Sequence, residues 1–124
     1  MSSLIKKTIC VVEDDPDISD LIEYLLADMG FNVTCYATVD AFDRRPAGTV
    51  PELLILDIML PDGSGLDICR RWKADQDSPK IPVLIMSAHS EGKSLAQDVC
   101  ADDFISKPFD INEFARRVQL SLAS

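Results

Sequence analysis

Three acids stand in a row at Glu13-Asp14-Asp15, directly after the apolar, β-branched run Thr8-Ile9-Cys10-Val11-Val12. Another, Asp57, closes Leu53-Leu54-Ile55-Leu56, whose four large aliphatic residues read as a strand buried on both faces. Pro61, Gly63 and Gly65 break the pattern just beyond it, so Asp57 sits at the C-terminal end of a strand, facing a loop. In an open α/β sheet that edge is where ligands are bound. Carboxylates at neighbouring strand ends repel one another, and in a partly desolvated cleft each rises in pKa unless something positive compensates. The sequence offers Lys107, and the remaining charge of Glu13, Asp14 and Asp57 calls for a hard divalent cation such as Mg²⁺. Carboxylate oxygens, a backbone carbonyl and waters make an octahedral site of the kind that also grips a phosphate. Asp15 and Asp17 read more simply as helix-capping acids, and Glu13 taken alone could do the same.

These residues are positioned by a regular alternation of elements. Asp15-Pro16 looks like an N-cap followed by proline at the first helical position. Ile18, Leu21, Ile22, Leu25, Leu26 and Met29 then mark one helix face, which Gly30 closes. Phe31 to Tyr36 mixes apolar and polar residues, as an edge strand does. Thr38 suits the cap of a short helix reaching about Arg45, and Pro46 to Glu52 is a loop by composition. A helix from roughly Ser64 to Ala74 carries Leu66, Cys69 and Trp72 on one side, with Arg70, Arg71 and Lys73 near its C-terminal end. Val83 to Met86 is a second fully apolar strand and ends at Ser87-Ala88-His89. The helix after it is the poorest, because Ser90 to Ser94 contains Gly92 and few apolar anchors and only Leu95, Ala96 and Val99 offer a core face, and a short, mobile element is expected. Asp103 to Ser106 is a short last strand leading to Lys107-Pro108. Asp110 and Glu113 have capping-box spacing, opening a helix expected to bury Ile111, Phe114, Ala115, Val118 and Leu122. Strand and helix alternate five times, which predicts a doubly wound parallel sheet of five strands in the order 2-1-3-4-5 with five helices on its faces. That order brings Asp14, Asp57 and Ser87 to one edge.

A chain of 124 residues is expected to form one domain spanning 1–124 with a core that needs no disulfide or metal staple. Hydrophobic residues at 47% and charged residues at 27% are ordinary for a globular protein, and no apolar run approaches membrane-spanning length. The first residues lack the apolar stretch of a signal peptide, so a cytoplasmic location is expected. Cys10, Cys35, Cys69 and Cys100 are widely spaced, with His89 as the one histidine, so they read as reduced structural residues rather than zinc ligands. A formal charge of −9 with nothing more basic than Lys/Arg doublets argues against direct nucleic-acid or membrane binding.

Four stretches together go further. Val11-Val12-Glu13-Asp14-Asp15-Pro16, Leu56-Asp57-Ile58-Met59-Leu60-Pro61 with Gly65, Met86-Ser87-Ala88, and Ala101-Asp102-Asp103-Phe104-Ile105-Ser106-Lys107-Pro108-Phe109 resemble the receiver domain of two-component response regulators. The likeness covers nearly the whole chain in order and implies a flavodoxin-like, CheY-like fold. It implies that Asp57 is the phosphoacceptor, attacking a phosphohistidine of a sensor histidine kinase or histidine phosphotransfer protein to form an acyl phosphate. Glu13, Asp14, Asp57 and the main-chain carbonyl of Met59 would bind Mg²⁺. Lys107, the Ser87 hydroxyl and the Ala88 backbone would hold phosphoryl oxygens, and a cis Lys107-Pro108 bond would aim Lys107 inward. Such a chain is a signalling phosphoacceptor, not a turnover enzyme, supporting only its own phosphorylation and dephosphorylation.

The same resemblance implies a switch. A phosphoryl group on Asp57 draws Ser87 inward, and Phe104 rotates into the space left, although Phe104 alone would also suit an ordinary core position. His89 reads first as a surface loop residue rather than a catalyst, although its place two after Ser87 would put it near the phosphoryl group, where it could tune hydrolysis. The chain departs from the family pattern at Cys100, usually glycine, at Ser87, more often threonine, and in a Ser87–Lys107 segment shorter by roughly half a helical turn. The last change falls in the fourth helix, part of the usual output and dimer face, so a monomer or weak dimer is expected. Glu113 and Arg117 resemble residues that pair across that face. A contact-only module of the same fold would show a damaged acceptor site, and an aspartyl-phosphate phosphatase would want a D-x-D that Asp57-Ile58-Met59 lacks. The downstream protein target is not legible.

Overall fold

The structure, a computed structural model, describes residues 6–48 and 50–123. One position in the expected 46–52 loop, Thr49, lies outside the described residues. Thr8–Val12 (β1), Asn32–Tyr36 (β2), Leu53–Asp57 (β3), Val83–Ser87 (β4) and Asp103–Ser106 (β5) form a wholly parallel sheet in the order 2-1-3-4-5. Between them run helices Pro16–Asp28 (α1), Val39–Asp43 (α2), Gly65–Ala74 (α3) and Gly92–Asp98 (α4), and Ile111–Ala123 (α5) follows β5. A small antiparallel hairpin, Met59–Leu60 against Gly63–Ser64, fills the turn between β3 and α3.

The strands read as most apolar are the central ones, and every residue of β3 and β4 is buried. Period-two alternation splits them between two cores. Leu54, Leu56, Val83 and Ile85 face Phe42 of α2, Ile68, Cys69 and Trp72 of α3, and Ala96 of α4. Leu53, Ile55, Leu84 and Met86 face Ile22 and Leu26 of α1 and Phe114 and Val118 of α5. Each such side chain contributes roughly 1.5–3 kcal/mol by leaving water, which fixes the register that aligns the strand ends.

The helix starts follow the sequence closely. Asp15 Oδ1 accepts from the amides of Asp17 (2.9 Å) and Ile18 (3.4 Å), with Pro16 at the first helical position. Thr38 and Ser64 cap α2 and α3 in the same way. Gly30, at φ 95°, closes α1 in the left-handed conformation. Cys100 also lies at positive φ, 59°, immediately past α4, so the residue standing in for the family's glycine occupies a backbone conformation that favours glycine.

Four expectations need correction. Glu113 does not complete a capping box with Asp110. Asp110 does accept from the amides of Asn112 (2.7 Å) and Glu113 (3.2 Å), but the Glu113 carboxylate is drawn away to Arg117 Nε at 2.7 Å. Ile111 and Leu21 are exposed, at 49% and 39%. The reason is geometric: α1 and α5 share one face of the sheet, so each buries a narrow seam and leaves the flanks of its apolar stripe in water. Finally, α2 ends at Asp43, short of Arg45, whose guanidinium lies over the rings of Phe42 and Trp72 (4.2 and 5.2 Å).

Candidate functional site

The parallel pairing of Val12 with Leu56 places Glu13, just past β1, beside Asp57, the last residue of β3. Glu13 and Asp57 are buried, 2% and 5% exposed, whereas Asp14 is open to solvent. One carboxylate oxygen from each of Glu13, Asp14 and Asp57 lies within 4.8 Å of the others. Lys107, delivered from the end of β5, reaches across: Nζ donates to Asp57 Oδ2 at 2.9 Å and to Glu13 Oε1. The other Glu13 oxygen accepts from the Asp15 amide (3.1 Å), and Asp57 Oδ1 from the Met59 amide (3.4 Å).

The electrostatics show the cost of that burial. Desolvation pushes Glu13 up to about 6 from an ordinary 4.5, the Asp57 charge pushes the same way, and the Lys107 and Asp15 bonds offset only part. Burial works against the Lys107 ammonium, but the two carboxylates outweigh it and hold its pKa above the usual lysine value. A cluster of hard oxygen donors with no nitrogen or sulfur ligand suits Mg²⁺ or a cation like it.

Ser87 ends β4 one residue past Met86, which pairs with Asp57. It is 1% exposed, its carbonyl accepts from the Lys107 amide at 2.9 Å, and its Oγ accepts from the His89 amide at 2.9 Å. Ala88 and His89 are exposed, and His89 Nδ1 accepts from the Glu91 amide (3.2 Å). The Lys107–Pro108 peptide is cis. Met59 exposes 67% of its surface and belongs to the hairpin beside the cluster. Phe104 is half-buried, its ring beside Gly92 at the start of α4. A Cβ on Gly92 would stand 2.8 Å from Ser87 Cβ and 2.9 Å from Phe104 Cε1 and Cζ. Gly65 is equally constrained, since a Cβ there would meet the Asp57 carbonyl oxygen at 2.1 Å. Glu113 and Arg117 bond to each other, and Arg117 also to Asp103 (2.8 Å). An open groove of about 780 Å³ runs past Ser87, His89, Phe104, Lys107 and Arg117.

Three contributors were not evident from the sequence. Asp62 bonds to the start of α2. Gly92, read as a weakness of its helix, is required by close packing. Asp102 accepts from both the Val83 amide and Lys73 Nζ at 2.7 Å, tying the start of β4 to α3. Aspartate beside glycine or before a strand signals a turn, and nothing local names its distant partner.

Comparison with known proteins agrees with this geometry. The sequence profile of the response regulator receiver domain matches residues 9–119. The chain is 35% identical over 116 residues to the phosphate regulon transcriptional regulatory protein PhoB of Rhizobium meliloti, covering 92% of this chain and 51% of that protein. It is 35% identical over 119 residues to the transcriptional regulatory protein CreB of Escherichia coli, covering 94% and 51%. The chain thus spans about half the length of these relatives. Among solved structures, the response regulator DrrB of Thermotoga maritima superposes with a TM-score of 0.85 at 30% identity, over 96% of this chain and 54% of that one. The BeF3-activated receiver domain of Klebsiella pneumoniae RstA gives 0.85 at 27%, over 95% and 100%. Motifs, sheet order, acidic cluster and these likenesses lead to one conclusion: the chain belongs to the response regulator receiver domain family.

Proposed function

We propose that this receiver domain takes a phosphoryl group on Asp57 from the phosphohistidine of a sensor histidine kinase or histidine phosphotransfer protein, and signals through the resulting change of shape. The observation that carries the reading is the buried Asp57 carboxylate. It is held by the Lys107 ammonium at 2.9 Å and stands within 4.8 Å of two further carboxylates. In the transfer, an Asp57 oxygen attacks phosphorus, the P–N bond breaks with its electron pair going to the imidazole nitrogen, and an acyl phosphate forms. Lys107 steadies the carboxylate and then a phosphoryl oxygen, while the Ser87 hydroxyl and Ala88 backbone receive another. Glu13, Asp14, Asp57 and the Met59 carbonyl would hold Mg²⁺, which when bound supplies positive charge to the phosphoryl oxygens.

The switch belongs to the same reading. Ser87 is drawn to the new phosphoryl oxygens, loosening its turn with His89, and Phe104, already against Ser87 and Gly92, follows into the space. Its consequence is read by a downstream protein at the groove beside α4, β5 and α5. The location that goes with this reading is the cytoplasm, and free cysteines at 10, 35, 69 and 100 suit a reducing compartment. No described helix is long and apolar enough to cross a membrane.

The test is incubation with acetyl phosphate and Mg²⁺, followed by intact mass. The wild type is expected to gain one phosphoryl group and Asp57→Asn none. A wild type that gains no mass, and shows no spectral response to beryllofluoride with Mg²⁺, overturns the phosphoacceptor reading.

A further inference from the structure

The acceptor site leaves one nearby carboxylate without a role. Asp62 stands at the tip of the hairpin that follows Asp57, and its two oxygens do separate work. Oδ1 accepts from the Val39 amide at 2.8 Å and Oδ2 from the Asp40 amide at 2.9 Å. These are the first two amides of α2, which have no partner within the helix. Thr38, the helix's own cap, serves the third, Ala41, at 3.0 Å. The start of α2 is therefore completed by a residue lying more than twenty positions downstream. The bonds hold the Asp62 carboxyl below its usual pKa, so it is ionised and the bonds are charge-assisted. A second contact reinforces them: a Cβ on Gly63 would lie 3.2 Å from Val39 Cγ2, so the hairpin rests directly on α2.

What the hairpin carries gives this contact its meaning. Its ladder is two residues long on each side, pairing Met59 with Ser64 and Leu60 with Gly63, too short to hold its own shape in water. Its base is held by long bonds, Met59 N to Asp57 Oδ1 at 3.4 Å and Gly65 N to Ile58 O at 3.3 Å. The short bonds are at the tip, to α2. Resting on the magnesium reading of Glu13, Asp14, Asp57 and the Met59 carbonyl, we propose that Asp62 is a positioning residue for the acceptor site. By clamping the hairpin to α2, it holds the Met59 carbonyl where the metal requires it. Asp62 touches neither metal nor phosphoryl group and acts through the hairpin backbone.

The experiment is Mg²⁺ titration of the intact chain by calorimetry, with backbone amide shifts of 57–65 as a second readout. Asp62→Ala, which loses both bonds, is expected to weaken Mg²⁺ binding roughly three- to tenfold, below the larger losses seen on removing direct supports of a metal ligand. Asp62→Asn keeps one oxygen acceptor and should fall between. Two controls separate positioning from other causes. Thr38→Ala loosens the same helix without touching the hairpin, and Asp40→Asn removes a neighbouring charge whose side chain pairs with Arg44. Both should bind Mg²⁺ as the wild type does. Unchanged affinity in Asp62→Ala, or an equal loss in either control, overturns the proposal. If Asp62→Ala does not fold, Asp62→Asn against Asp40→Asn decides, and equal affinities overturn it. A wild type that binds no Mg²⁺ overturns the metal reading itself, whereas normal wild-type binding with no effect at Asp62 overturns this inference alone.

Discussion

Replacing Glu13 with glutamine should make the metal-free protein more stable and the metal-binding one weaker. Glu13 is buried, and its pKa rises from 4.5 to about 6, chiefly from desolvation. At about 1.4 kcal/mol per tenfold, holding it ionised at pH 7 costs the fold about 2 kcal/mol. That figure already includes what Lys107 returns. The raised value means that the folded state binds the proton more tightly than the unfolded one. Stability from this group is therefore fully present below pH 4.5 and lost as pH climbs through about 6. Glutamine mimics the protonated form in shape and retains an acceptor for the Asp15 amide. Without metal, Glu13→Gln should match the wild type near pH 4 and exceed it by about 2 kcal/mol at pH 7, the gap opening across the interval from 4.5 to about 6. Urea unfolding followed through the single tryptophan, Trp72, whose Nε1 donates to the Pro79 carbonyl at 2.9 Å, measures this directly. Added Mg²⁺ should then stabilise the wild type more than the variant. A metal-free variant less stable than wild type at pH 7, or a gap that does not close in acid, would refute the reasoning.

Further outcomes follow from the packing. Gly92→Ala should destabilise by about 1–3 kcal/mol despite the better helix former, because the added methyl overlaps Ser87 and Phe104; equal or higher stability in urea would show that the contact is loose. Cys100→Gly should raise stability by about 0.5–1 kcal/mol by removing a side chain from a left-handed backbone position, and thermal melts with no gain would deny that strain. Helix α4 has no side-chain cap bond, so amide exchange over 92–98 should outpace that of β3 and β4 in the unphosphorylated protein. Protection equal to the sheet would contradict a mobile fourth helix.

How much of this was legible in the sequence depended on whether the deciding interaction is local. Asp57 stood out because a charge ending four aliphatic residues is costly without a purpose, and Lys107 because such a cluster demands a cation. Sheet order followed from strand apolarity, and the caps at Asp15 and Thr38 bond two or three residues ahead of themselves. What escaped was settled at long range. Glu113 had the right spacing for a capping box, but Arg117, one turn on, is itself fixed by Asp103 of β5 and drew the carboxylate away. The exposure of Ile111 and Leu21 shows that periodicity marks the direction of a helix face but not how much of it a neighbour covers. Gly92 looked like a flaw because its reason lies across space, in a serine and a ring.

Charge counting explains why these residues belong together. Glu13, Asp14 and Asp57 bring three negative charges, and Lys107 returns one, leaving two. That remainder, partly out of water, is what a divalent cation cancels, and the raised pKa of Glu13 records the cost of leaving it uncancelled. Phosphorylation of Asp57, as proposed, would replace one carboxylate charge with up to two on the phosphoryl oxygens, so even a metal-loaded site would become short of positive partners again. A neutral donor placed to answer is the Ser87 hydroxyl, aligned by the pairing of β3 with β4, its Oγ accepting from the His89 amide. Ser87 and the Phe104 ring both lie against the Gly92 position, so on the proposed phosphoacceptor reading the electrostatic deficit created at Asp57 would be relayed as a packing change toward α4. On this account α4 can afford few core anchors of its own, because the element that must respond is the one the fold holds least firmly.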